Sequence, residues 1–152
     1  MYQIYLAGVI GNSTYKEATE WREYVTRQCK ALYGTEVVCK SPMRFKEHLD
    51  ASEETLDFVY QEQLLSSAKA IVSRDLNDVR NSDLILVKLD SDVISIGTSI
   101  EIGVASELRI PIIGVFSTNT NNIYNKHPFI QELVNFKTDD LDTAIALIGK
   151  VL

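Results

Sequence analysis

Leu84-Ile85-Leu86-Val87, followed by Ser95-Ile96-Gly97-Thr98-Ser99-Ile100-Glu101-Ile102-Gly103-Val104-Ala105, decides how the chain folds. Four consecutive aliphatic residues with no polar alternation describe a strand covered on both faces, as in a parallel sheet. Farther on, Ile100, Val104, Ala105 and Leu108 recur at helical spacing, which predicts a helix starting near Thr98 or Ser99 after a short loop through Gly97. In an open α/β sheet, ligands bind at the carboxyl ends of strands, where such loops lie. Glu101 is then expected in the first turn of the helix, facing that crevice, and its carboxylate is the leading candidate for chemistry. Thr98-x-x-Glu101 also fits a capping box, with Thr98 accepting from the Glu101 amide and Glu101 reaching back. This stretch alone leaves both readings open.

Upstream, residues 4–7 read as a first strand ended by Gly8, and Gly8-Val9-Ile10-Gly11-Asn12-Ser13 reads as a loop. Two glycines three apart do not make a dinucleotide fingerprint. Thr14-x-x-Glu17 is a second capping box, and Ala18, Trp21, Val25, Cys29 and Leu32 then follow the helical period. Gly34 is a natural helix stop, and residues 36–39 form a second short strand. This is a β-α-β unit, which implies parallel strands and a right-handed crossover. Residues 41–57 break the pattern with Pro42 and the charged Arg44, Lys46, Glu47, His48 and Asp50. So long a loop after a strand's carboxyl end suggests a lid or substrate loop, with Arg44 among its binding candidates.

Residues 56–68 read as helical, and a further helix ends near Ser82 with Leu76 and Val79 turned inward. Strands are expected at 83–87 and 111–116, then a polar Asn/Thr loop over 117–125 and a short helix over 128–134. Phe136 starts an edge strand, and Asp140 caps a last helix with Leu141, Ala144, Ile145 and Ile148 on one face. The expected fold is a flavodoxin-like three-layer α/β sandwich with a mostly parallel five-stranded sheet, formed by residues 1–152 as one domain.

With 45% hydrophobic and 24% charged residues the chain has an ordinary globular composition. A net charge of −6 without any Lys/Arg-rich run makes a nucleic-acid polymer an improbable partner. Met1-Tyr2-Gln3-Ile4-Tyr5-Leu6-Ala7 has neither a basic segment nor a long apolar core, so no signal peptide is expected. No apolar run approaches the ~20 residues of a membrane span. Cys29 and Cys39 lack zinc spacing and read as reduced thiols of a cytoplasmic protein. His48 and His127 are too far apart in sequence to suggest a histidine-rich metal site.

Four pieces in this order resemble the nucleoside 2-deoxyribosyltransferases and their nucleotide N-glycosidase relatives. They are Ile4-Tyr5-Leu6-Ala7-Gly8; Arg74-Asp75-Leu76 followed by Ser82-Asp83; Ser95-Ile96-Gly97-Thr98; and Glu101-Ile102-Gly103-Val104-Ala105. The resemblance implies that Glu101 is a nucleophile attacking the anomeric carbon of a 2-deoxyribosyl group, so that a covalent sugar ester forms and a second base or water resolves it. Tyr5 matches the tyrosine that hydrogen-bonds this nucleophile. Asp75 matches the aspartate beside sugar and base, an acceptor from a sugar hydroxyl or the proton donor to the leaving base. The resemblance brings in no metal and no organic cofactor, and it implies a nucleoside or nucleotide and a free nucleobase as ligands.

One departure bears on the substrate. Where the transferases commonly carry an acid that holds the free 5-hydroxyl, this chain has Ser95, with Asp92 three residues earlier. The nucleotide-cleaving relatives resemble it in having serine there, which suits a phosphate. Gly8 and the loop to Ser13 could offer backbone amides to the same group. Lys126-His127-Pro128-Phe129 falls where the family places residues that reach a neighbouring subunit's site, so His127 and Phe129 are candidate contacts in a homo-oligomer.

Overall fold

The computed structural model describes residues 1–47, 56 and 67–152. Five strands, β1 (Tyr2–Gly8), β2 (Val37–Lys40), β3 (Leu84–Leu89), β4 (Ile112–Phe116) and β5 (Phe136–Thr138), form one sheet in the order β2-β1-β3-β4-β5. Every pairing is parallel. The helices are α1 (Tyr15–Tyr33), α2 (Ala68–Arg80), α3 (Ile96–Glu107), α4 (Ile123–Lys126), α5 (Pro128–Leu133) and α6 (Leu141–Val151). The chain leaves β1 toward β2, then crosses back to place β3 on the other side of β1. The strand order reverses there, and in an open α/β sheet such a reversal is where a ligand binds, here at the carboxyl ends of β1 and β3.

Strand alternation sorts the side chains between the two helical layers. Ile4 and Leu6 pack with Val25 and Cys29 of α1 and with Ala144, Ile145 and Ile148 of α6. Tyr5 and Ala7 point the other way, to Val79 of α2, Ile102 and Ala105 of α3, and Ile130 of α5. The aliphatic run of β3 is fully buried from Leu84 to Val87, as its lack of polar alternation requires. Both cysteines are free thiols, Cys29 in the core and Cys39 half-buried at the end of β2. Among the described residues no helix is long and apolar enough to cross a membrane.

The helix signals of α1 act as read. Glu17 donates its amide to Thr14 Oγ1 (3.2 Å), and the Thr14 amide donates to Glu17 Oε2 (2.8 Å), which closes the capping box. Gly34, at φ 60, ends the helix by donating its N–H to the Lys30 carbonyl. Asp140 caps α6, accepting from the Thr143 amide at 2.8 Å.

Expectations for α3, α1 and α2 need correction. Helix α3 starts at Ile96, earlier than Thr98, because Ser95 is its N-cap and accepts from the Thr98 amide at 3.2 Å. The Thr98–Glu101 box therefore does not form, and Glu101 lies in the second turn of the helix. The inward face of α3 carries Thr98, Ile102 and Ala105, while Ile100 and Leu108 are 52% and 50% exposed. With apolar residues nearly all round α3, periodicity could not choose its face. In α1 the buried stripe is Ala18, Arg22, Val25 and Cys29, and Leu32 is exposed. In α2 Asp75, Asp78 and Val79 are buried, whereas Leu76 is only half-buried. The expected loop beyond Glu47, with His48, and most of the helix expected over 56–68 lie outside the described residues.

Candidate active site

Tyr5 lies in register with Ile85 of β3 on one side and Lys40 of β2 on the other, at the point where the strand order reverses. Its side chain turns toward the α2–α3 layer, and its hydroxyl donates to Glu101 Oε1 at 2.7 Å. Burial lifts the Tyr5 phenol well above its ordinary value, and the negative charges of Glu101 and Asp75 lift it further. The phenol is therefore a neutral donor. Burial also pushes the Glu101 carboxyl up to about 7; the Tyr5 hydrogen bond and the Arg22 charge resist this rise, and the Asp75 charge adds to it. Glu101 thus passes between acid and carboxylate near neutral pH, with one oxygen held by Tyr5.

Asp75 is buried on α2 and accepts from Arg74 Nε at 3.0 Å. Burial raises its carboxyl, and the neighbouring Arg74 and Lys46 charges oppose that rise. Arg74 also donates to the carbonyls of Arg44 (3.3 Å) and Pro42 (3.1 Å), so it ties the segment after β2 to α2. Arg44 forms an ion pair with Asp78 on α2. This segment brings Lys46 into the same group of charges, and Lys46 is only 9% exposed.

Behind the cluster sits Arg22, fully buried. Its guanidinium donates to the carbonyls of Leu6 (3.1 Å), Gly8 (2.9 Å) and Ala18, and it stacks on Trp21. It thereby pins the end of β1 to the start of α1. Desolvation lowers its pKa to about 10, so it keeps its charge at neutral pH. Gly8 is confined by this packing: a Cβ there would meet Trp21 Cζ2 at 2.9 Å.

On the β3 side, Ser95 Oγ accepts from the Thr98 amide and from Thr98 Oγ1 (2.9 Å), so its own hydroxyl proton is left for a ligand. The loop before it is braced from α4. Tyr124 OH accepts from the Ser95 amide (2.8 Å) and donates to the Val93 carbonyl (3.1 Å). Asn122 Nδ2 donates to the Ser91 carbonyl (2.9 Å) and to Asp92 Oδ1 (3.3 Å). Asp92 is exposed, and Gly97 lies exposed in the first turn of α3, where a Cβ would meet no atom within 4 Å.

Tyr5, Glu101 and Asp75 thus come together, with Arg44 joined to the cluster through α2. His127 and Phe129 do not join it: they are exposed, their rings 6.1 Å apart, and neither hydrogen-bonds to the cluster among the described residues. Sequence reasoning passed over Arg22, Lys46, Asn122 and Tyr124. Only Arg22 left a signal, since it sits four residues after Ala18 and three before Val25, in the middle of the inward stripe. Among the described residues no three His, Cys, Asp or Glu side chains are grouped to hold a metal ion.

Comparison with known proteins bears on this arrangement. Residues 4–135 match the family model described as nucleoside 2-deoxyribosyltransferase. A conserved protein from Enterococcus faecalis V583 superposes with a TM-score of 0.67 at 20% identity, over 100% of this chain and 99% of its own. A 2-deoxyribosyltransferase from Bacillus psychrosaccharolyticus gives 0.59 at 17% identity, over 94% and 90% of the two chains. One from Leishmania mexicana gives 0.59 at 16%, over 99% and 98%. These likenesses are of fold. No curated protein matches the chain. The family match spans β1 through the residue before β5, including all four sequence pieces and the Tyr5–Asp75–Glu101 cluster, and on it the chain belongs to the nucleoside 2-deoxyribosyltransferase family.

Proposed function

We propose that this chain transfers a 2-deoxyribosyl group between nucleobases through an ester on Glu101. The observation that carries the reading is the 2.7 Å bond from Tyr5 OH to Glu101 Oε1, made where β1 and β3 open the crevice, with Asp75 facing the same carboxylate. Tyr5 fixes the rotamer of Glu101 and leaves the second oxygen free to attack. That oxygen bonds to the anomeric carbon, the bond to the base nitrogen breaks, and its electron pair leaves with the base. Asp75 can deliver the proton, since burial raises its affinity for one. A second base then attacks the same carbon, its ring N–H proton passes to the Asp75 carboxylate, the ester bond to Glu101 breaks, and two inversions give net retention. No step in this scheme uses a metal or organic cofactor.

The test is to incubate the protein with each deoxynucleoside and a second free base. Appearance of the exchanged deoxynucleoside is expected, and exchange with none of them would refute the reading. Because the carboxylate form of Glu101 attacks, kcat/KM is expected to rise with pH through about 7, the Glu101 value. In Tyr5→Phe the lost hydrogen bond lets that value climb, so the rising limb moves to higher pH. A limb that stays in place would detach Tyr5 from Glu101.

A second reading, hydrolysis of nucleoside 5-monophosphates, is favoured by Ser95, whose free proton suits a phosphate oxygen as well as a hydroxyl. Ser95→Asp separates the two readings cleanly, because Asp is as good an N-cap as Ser and leaves α3 intact. A carboxylate at ~4 Å from a phosphate charge costs ~4 kcal/mol at an effective dielectric of 20. Turnover of a monophosphate is therefore expected to fall about tenfold to a hundredfold, with backbone donors softening the rest. Turnover of a deoxynucleoside is expected to persist, and an equal loss on both would exclude Ser95 from the 5-end.

The homo-oligomer belongs to the same proposal. Ile94, Ile96, Ile100 and Phe129 are each more than half exposed. A second copy that covered these side chains would bring its own His127 and Phe129 to a contact. Sedimentation at catalytic concentrations is expected to show at least a dimer; a monomer would contradict this.

A further inference from the structure

Cys29 and Cys39 lie on facing surfaces of neighbouring elements. Strand alternation turns Val37 and Cys39 to the same side of β2, and both pack in the cluster that holds Ile4, Val25 and Cys29. Cys29 belongs to the inward stripe of α1. The Cys29 thiol hydrogen-bonds the Cys39 sulfur, and Thr26, one turn earlier on α1, is a second hydrogen-bond partner of Cys39. The two thiols differ in access: Cys29 is 1% exposed, whereas Cys39 is half-buried. The bond from Cys29 favours the thiolate of Cys39 and draws its pKa down, while that same bond and burial push the Cys29 thiol up. The pair is thus sorted into a more accessible sulfur that ionises first and a shielded one that keeps its proton.

β2 gives this contact a consequence. It is four residues long and lies at the edge of the sheet, where it pairs with β1 alone among the described strands. On its face it is held by the packing of Val37 and Cys39 beneath α1. We propose that Cys29 and Cys39 are a peroxide-oxidisable dithiol whose intramolecular disulfide clamps the edge strand β2 to α1.

The electrons balance against the peroxide. The Cys39 thiolate attacks one peroxide oxygen, the O–O bond breaks, and hydroxide leaves and takes up a proton as water. Cys39 is then a sulfenic acid. The Cys29 sulfur attacks the Cys39 sulfur, the S–O bond breaks, and the departing hydroxide takes the Cys29 proton as a second water. The two thiols lose one electron pair to the peroxide, and no other reactant is needed. Capture by Cys29 also stops the oxidation of Cys39 at a stage that a thiol reductant can reverse.

The test treats the native protein with hydrogen peroxide, blocks the remaining thiols, digests with trypsin without reductant and reads the peptides. Cleavage after Arg27, Lys30 and Lys40 puts the cysteines on separate peptides, 28–30 and 31–40, so only a disulfide rejoins them. Oxygen added at the exposed Met1 lies on a different peptide. The expected result is the joined pair, from protein that runs as a single chain without reductant, and its separation by dithiothreitol. Oxidation is expected to raise Tm by roughly 5–10 °C, the shift for closing a short loop in a chain of this size. In Cys29→Ser, Cys39 should stop at the sulfenic acid, which dimedone captures. In Cys39→Ser, the shielded Cys29 should react at least about tenfold more slowly than Cys39 does in the parent. Should either variant fail to fold, the peptide map of the parent decides. Both cysteines recovered as blocked thiols, Cys39 carried on to sulfinic acid, or Cys39 joined to a second chain would overturn the inference. A linked pair with an unmoved Tm would overturn the clamp.

Discussion

Glu101→Gln is expected to lower kcat/KM for base exchange by about four orders of magnitude or more, because the variant keeps the shape and the Tyr5 bond but offers no nucleophile. It should not unfold the protein. Burial raises the Glu101 carboxyl from the ordinary 4.5 to about 7, so the native state holds this proton more tightly than the unfolded chain does. Stability therefore falls as pH rises between those two values, and glutamine removes the penalty of an ionised, desolvated group. The variant is expected to melt at or above the parent at pH 8. Retention of more than about a tenth of the activity would remove Glu101 from the chemistry.

Arg22→Met is expected to have the largest effect on stability. Three carbonyls, those of Leu6, Gly8 and Ala18, accept from this one guanidinium. Methionine fills much of the volume but donates to none of them. Each hydrogen bond to a charged group is worth ~1.5–3 kcal/mol, offset by relief from burying the charge. A net loss of about 3 kcal/mol corresponds to a fall in Tm of roughly 6–12 °C for a chain of this size. Arg22→Lys should fall between, keeping the charge with fewer directed donors. The variant should also shift the rising limb of the pH profile upward, since the Arg22 charge holds Glu101 down. A Tm within about 2 °C of the parent would show that the carbonyls find other partners.

The strands were readable because aliphatic runs such as Leu84 to Val87 admit little else. The ends of α1 were readable because Thr14, Glu17 and Gly34 carry their capping chemistry in their own side chains or lack of one. The face of α3 was not: Ile100 and Ile102 are equally apolar, and only the packing of Ile102 on the sheet and the bond from Tyr5 to Glu101 choose between them. Capping likewise depended on competition, and Ser95 took the role that Thr98 could have filled. Arg22 left only its place in the inward stripe of α1 as a signal, because its partners are main-chain carbonyls, which leave no mark in a side-chain pattern. Lys46 was hidden because a charged loop residue reads as solvated until the segment around it is seen folded against α2.

The proposed chemistry turns on a covalent bond between Glu101 and the sugar. The most direct measurement mixes the protein with a deoxynucleoside in the absence of acceptor base, quenches in acid within the first turnover, and reads the intact mass and the peptide map. The expected result is an added mass of one 2-deoxyribosyl group, confined to the peptide carrying Glu101, absent in Glu101→Gln and discharged when a free base is added before the quench. Full turnover with unmodified protein at every quench time, or an adduct on another residue, would contradict it.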